Sequence, residues 1–89
     1  MLQARLIERG ALRYTPAGIP ALDLSLKHES EQTEAGHPRK VAVELRALAL
    51  GEITRSLLPV EIGAERGFAG FVAAARNGRG VVFHITEVA

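Results

Sequence analysis

The chain has no cysteine and no tryptophan, only one tyrosine and three phenylalanines, and almost no net charge. Without cysteine there is neither a disulfide framework nor a thiolate metal site, so stability rests on packing and association, and a reducing cytoplasm is expected. Eleven basic residues against ten acidic ones leave a formal charge of +1, so only the distribution of charge, not its sum, can point to a polyanionic partner. No apolar run approaches the roughly 20 residues that cross a bilayer, and the opening residues lead straight into alternating structure. Membrane insertion and secretion are therefore not expected.

Catalytic signatures are missing too. There is no Gly-rich loop ahead of a Lys-Ser/Thr pair, no Gly-x-Ser-x-Gly elbow and no cysteine nucleophile. His28, His37 and His84 are too dispersed to form a ligand set, and Glu29, Glu31 and Glu34 read as a solvated face leading into a loop. Neither catalytic residues, a metal site nor a cofactor is expected.

What remains is the pattern of a small β protein. The 89 residues suffice for one core, read as one domain over 1–89, with 47% hydrophobic and 24% charged residues. Leu22, Leu24 and Leu26 alternate with Asp23, Ser25 and Lys27, the period of a half-buried strand. Upstream, the change of apolar parity at Leu6 and Ile7 and the break at Gly10 predict a bent or bulged first strand, with Thr15-Pro16-Ala17-Gly18 as the turn after Tyr14. The polar stretch from Ser30 to Pro38 reads as an exposed loop. Val41, Val43 and Leu45 begin the third strand, and the switch to Leu48 and Leu50 predicts a bulge near Arg46-Ala47.

Glu52 to Leu58 allows one or two helical turns, stopped by Pro59. Phe68–Arg76 and Gly80–Val88 flank Asn77-Gly78, the signal for a tight hairpin. That register sets Phe71 opposite His84, Ala73 opposite Val82, Val72 opposite Phe83 and Arg76 opposite Arg79. Both hairpin faces are largely apolar, so Phe71, Val82 and His84 are candidates for a dimer or partner surface. Three strands, a short helix and two strands give the order of a five-stranded OB-fold barrel with its helix between strands 3 and 4, an SH3-like barrel being the architectural rival.

In an OB barrel the ligand groove crosses strands 2 and 3 between the 1–2 and 4–5 loops. Arg13, Arg39-Lys40 and the Arg76/Arg79 pair fall at those edges, and nine of the eleven basic residues are arginine, suited to bidentate phosphate contact. Tyr14 is the best base-stacking ring, and His37 is a second candidate in the loop. This reading is single-stranded nucleic-acid binding, with a protein–protein adaptor as the alternative and RNA as a further ligand that stacking and phosphate contact would not distinguish.

The block Thr15-Pro16-Ala17-Gly18-Ile19-Pro20, followed by Leu22-Asp23-Leu24-Ser25-Leu26-Lys27-His28-Glu29-Ser30, resembles the primosomal replication protein N (PriB) family of bacteria. Glu34-Ala35-Gly36, Leu50-Gly51, Ile62-Gly63, Gly70-Phe71-Val72, Asn77-Gly78 and His84 extend the resemblance over nearly the full length. The resemblance implies a cytoplasmic OB-fold homodimer, related to single-stranded DNA-binding proteins. It further implies that the dimer binds single-stranded DNA and bridges the restart helicase PriA and the loader protein DnaT at stalled forks, with single-stranded DNA-binding protein as a further candidate partner. By position it assigns DNA contact to Arg13, Arg39, Arg76 and Arg79, and charge adds Lys40. Ala42 stands where a relative has a tryptophan, His37 where a phenylalanine can stack, and Glu29 where a basic residue can stand, which reduces the aromatic and electrostatic grip.

Overall fold

The computed structural model describes residues 1–89 as β1 (Leu2–Arg9), β2 (Arg13–Tyr14), β3 (Pro20–Glu34), β4 (His37–Leu50), α1 (Ile53–Leu57), β5 (Glu65–Ala74) and β6 (Val81–Val88). Five of the strands are long, and they close on one another. β1 is antiparallel to β3 on one edge and to β5 on the other; β5 pairs with β6, β4 with β3, and a short parallel contact at Ala47/Phe83 and Leu48/His84 joins β4 to β6. β2 is a two-residue stub on β3. The result is the OB-fold barrel expected, with the helix between the third and fourth long strands.

The leucine alternation of β3 lines the barrel: Leu22 and Leu26 are fully buried and Leu24 nearly so, packed with Ala4, Leu6, Phe68, Phe83 and Ile85. Leu57 of α1 closes one end, and buried Thr54 donates its hydroxyl to the Gly51 carbonyl at 2.7 Å. The Arg9 guanidinium donates to the carbonyls of Leu57 and Val60, tying the end of the short helix to β1. Arg9 thus serves the fold rather than a ligand.

Three local expectations need correction. Ser30 to Pro38 is not a loop: β3 and β4 run in one unbroken register from Ala21/Leu50 to Glu34/His37, joined only by Ala35 and Gly36. These two residues have φ of 51° and 78°, the left-handed pair of a type I′ hairpin turn. The end of this hairpin next to the turn, Ser30 to Lys40, projects past the barrel, so water reaches both faces and no apolar alternation is imposed there. Opposed polar pairs such as Glu31/Lys40 and Gln32/Arg39 line it instead. Because a left-handed alanine is strained, Ala35→Asn is expected to raise stability by about 0.5–1 kcal/mol in urea unfolding. A loss would mean that the turn is not of this type.

The same unbroken register rules out the bulge expected near Arg46-Ala47. Leu45, Ala47 and Ala49 continue the inward parity, with small alanines where the β3 leucines already fill the interior, and Leu48 and Leu50 point outward. The register shifts lie elsewhere: at Ile7 of β1, where the sequence placed one, and at Thr86 opposite Ala69/Gly70.

The β5–β6 register agrees with the expected pairing from Phe71/His84 to Ala74/Val81. Its turn does not. Gly78 donates to the Ala75 carbonyl at 2.9 Å and Ala75 to the Gly80 carbonyl at 3.1 Å, so Arg76–Arg79 form a four-residue loop and the two arginines are not a facing pair. Asn77 keeps negative φ and accepts from the Arg79 amide at 2.9 Å, while Gly78 and Gly80 take the left-handed positions.

Candidate nucleic-acid interface

The outward side chains of β4 and β6 form the floor of an open groove of about 520 Å³. Arg46, Leu48 and Leu50 come from β4, and Val82 and His84 from β6. One wall is the turn at Arg13 and Thr15, with Asp23 of β3 beside it; the other is the β5–β6 hairpin end, Ala74 to Asn77. The hairpin end lies against this face because the parallel β4–β6 contact sets β6 beside Leu48.

Three arginines therefore meet here: Arg13, Arg46 and Arg76, all exposed. The one acid among the lining residues is Asp23, and it is engaged. Arg13 donates from Nε and Nη2 to Asp23 Oδ2 and Oδ1 at 2.8 and 3.1 Å. These hydrogen bonds hold the Asp23 carboxyl below the ordinary aspartate value, aided by the charges of Arg13 and Arg46, and Asp23 raises Arg13 in return. A lowered folded-state value means that the pair's contribution is present above the unfolded aspartate value and is lost only as pH falls through the folded one. Asp23 is thus ionised at neutral and mildly acidic pH alike.

His84 stacks on Phe71 with ring centroids 4.9 Å apart and planes 6° from parallel. Phe71 is 56% exposed, so the ring stack presents an open π surface beside His84 of the groove floor. An arrangement of guanidinium groups, leucine side chains and a ring stack suits a flexible polyanion with flat aromatic groups: phosphates pair with the fork of Arg, bases with the rings. A second hollow of about 320 Å³ continues past Asp23 and Arg46 to Glu8 and Ser25. Its carboxylates make it a poor path for phosphate.

Of the residues singled out in the sequence, Arg13, Arg76, Val82 and His84 line the groove, and Phe71 joins through its ring. Tyr14, 65% exposed, sits between two lining residues without lining the groove itself. Arg79 lies in the turn beyond it. His37, Arg39 and Lys40 are at the far end of the β3–β4 hairpin, where Arg39 is paired with Glu34 at 3.2 Å. The three basic groups therefore do not all converge: the hairpin tip of β3–β4 stays apart. Arg46, Leu48 and Leu50 escaped notice, although Glu44, Arg46, Leu48 and Leu50 share one parity that continuous alternation would have exposed.

A closed barrel of this strand order, bearing a basic and apolar groove on one face, has the architecture of the OB folds, among them the single-strand-binding proteins. The model of a family described as another single-strand binding protein family matches residues 1–87. Over 76 residues the chain is 52% identical to the replication restart protein PriB of Bordetella pertussis, covering 85% of this chain and 71% of the relative. It is 33% identical to PriB of Nitrosomonas europaea over 76 residues, covering 84% and 70%. The solved PriB of Ralstonia solanacearum superposes with a TM-score of 0.87 at 34% identity, covering 99% of this chain and 90% of that one. An SSB domain from Synechococcus shares the fold at a TM-score of 0.72 and 18% identity, covering 98% of this chain and 88% of that one. The chain belongs to the PriB family of replication restart proteins.

Proposed function

We propose that residues 1–89 act as one OB domain that holds single-stranded DNA in the groove for the replication-restart machinery, and that it catalyses nothing. The observation that carries this is the meeting of Arg13, Arg46 and Arg76 with Leu48, Leu50 and the Phe71–His84 stack on one face. The strand's phosphates pair with the arginines, and one or two bases lie on His84 and the leucines. In this reading Val82 and His84 belong to the DNA surface rather than to a protein interface.

Family membership supports a place at stalled forks in the bacterial cytoplasm, with the helicase PriA and the loader DnaT as the proteins bridged and single-stranded DNA-binding protein as a further contact. Family membership supports a homodimer as well. Val72 and Val81, on the hairpin and 60% and 58% exposed, are apolar residues outside the groove available to it. A monomer by light scattering at micromolar concentration would contradict the dimer.

Fluorescence anisotropy with labelled oligo-dT, duplex DNA and the matching RNA tests the DNA reading. Preferential binding to the single DNA strand that weakens steeply with salt is the expected result. No binding at low salt, or binding indifferent to salt, would shift the function to a protein adaptor. Because His37, Arg39 and Lys40 stand away from the groove, Arg39→Ala with Lys40→Ala should change oligo-dT affinity by less than about threefold, the effect of a distant screened charge. A tenfold loss would extend the binding track along the β3–β4 hairpin.

A further inference from the structure

We propose that Asp23 is a built-in competitor for the DNA phosphate: it occupies one binding edge of Arg13, balances its charge and sets how tightly the groove holds a strand. The proposal rests on the groove being the DNA site. Arg13 uses Nε and Nη2 together, one of the two two-pronged edges with which a guanidinium takes an oxyanion, and both prongs are already filled by carboxylate oxygens at 2.8 and 3.1 Å. A phosphate at this edge must displace Asp23, and one approaching the remaining Nη1 side meets a guanidinium whose charge Asp23 already balances.

The pair is not needed to hold the turn. Gly10 donates to the Asp23 backbone carbonyl at 2.8 Å, Arg13 pairs through its backbone with Ala21, and Thr15 donates to Ile19 at 2.9 Å. Main-chain bonds thus anchor the segment on both sides of Arg13. Nor is the pair buried: the side chains are 49% and 62% exposed, so it exchanges readily with a competing anion in water. Asp23 also attracts Arg46, so a single carboxylate tempers two of the three groove cations. A strand held this way is easier to release, which suits a protein that passes DNA to another.

Asp23→Asn removes the charge and keeps the shape. Freed Arg13 adds about one phosphate contact, so oligo-dT binding at roughly 50 mM salt should tighten about 5- to 10-fold, and the slope of log K against log salt should steepen by about 0.7. Glu31→Gln changes net charge equally from the remote hairpin and should alter affinity less than twofold. In an Arg13→Ala background, Asp23→Asn should keep only the smaller part of its gain that comes through Arg46, about twofold or less. Circular dichroism checks that each variant folds, and Asp23→Ser offers a second neutral side chain.

The proposal falls if Asp23→Asn behaves like Glu31→Gln, or if its full gain persists without Arg13. Should the wild-type chain fail to bind but Asp23→Asn bind, competition by Asp23 is supported and its grip is stronger than supposed. Silence from both would overturn the competitor and the DNA groove together, whereas wild-type binding with no gain in the variant overturns the competitor alone.

Discussion

Replacing Arg13, Arg46 and Arg76 together by alanine is expected to weaken oligo-dT binding about 100-fold near 50 mM salt and to flatten the salt slope by about 1.4. The figure follows from counterion release: each phosphate contact on a single strand contributes about 0.7 to the slope, and the two full contacts of Arg46 and Arg76 carried down from 1 M salt amount to nearly two decades. Asp23 lowers the share of Arg13, so most of the loss should fall on Arg46 and Arg76. All three side chains are exposed and outside the core, and the unfolding midpoint should stay close to that of the native chain. Arg79→Ala provides the contrast, since its residue stands in the same turn but does not line the groove. If Arg79→Ala alone reproduces the triple substitution, the strand runs over the hairpin tip and not beneath it.

That contrast depends on details with unequal traces in the sequence. Leu22, Leu24 and Leu26 announced their strand because one face meets a closed barrel and the other meets water. The β5–β6 register was legible for a similar reason: pairing about the Asn77–Gly78 region leaves only one way to bury Phe83 and Ile85. By contrast, the outer β3–β4 hairpin has water on both faces, so burial imposes no alternation and its polarity imitates a loop. Ala35 hid the turn as well, since alanine rarely takes a left-handed φ.

The groove floor was obscured by a different ambiguity. A switch from Leu45 to Leu48 fits either a bulge or a strand with small residues inward and large ones outward, and only the volume of the opposing leucines decides between them. Choosing the bulge turned Arg46 away from its true face. The Arg13–Asp23 pair left no local trace, because it depends on how the segment after Gly10 folds back along β3.

Gly70→Ala is expected to be the most damaging single substitution tested, costing about 3 kcal/mol and lowering the unfolding midpoint by roughly 15 °C. An added Cβ would lie 1.8 Å from the carbonyl oxygen of His84, 2.8 Å from its carbonyl carbon and 3.2 Å from the Ile85 Cα. Every one of these is backbone, so no side chain can swing aside to admit the methyl group. The close approach occurs where β6 carries Thr86 as an extra residue against Ala69 and Gly70, and a shifted strand would break the pairs on both sides. Gly78→Ala separates this clash from the general cost of losing a glycine: its φ is 74°, but nothing lies within 4 Å of the new Cβ, so only the ordinary left-handed penalty of about 1–2 kcal/mol applies. Equal losses from the two substitutions would show that the β5–β6 shift is not where this structure puts it. A larger loss at Gly70, with weaker oligo-dT binding in the fraction that stays folded, would link the strand register to the groove. The same backbone approach that excludes a Cβ sets Phe71 against His84, one residue beyond, and so builds the ring stack on which a base is proposed to rest.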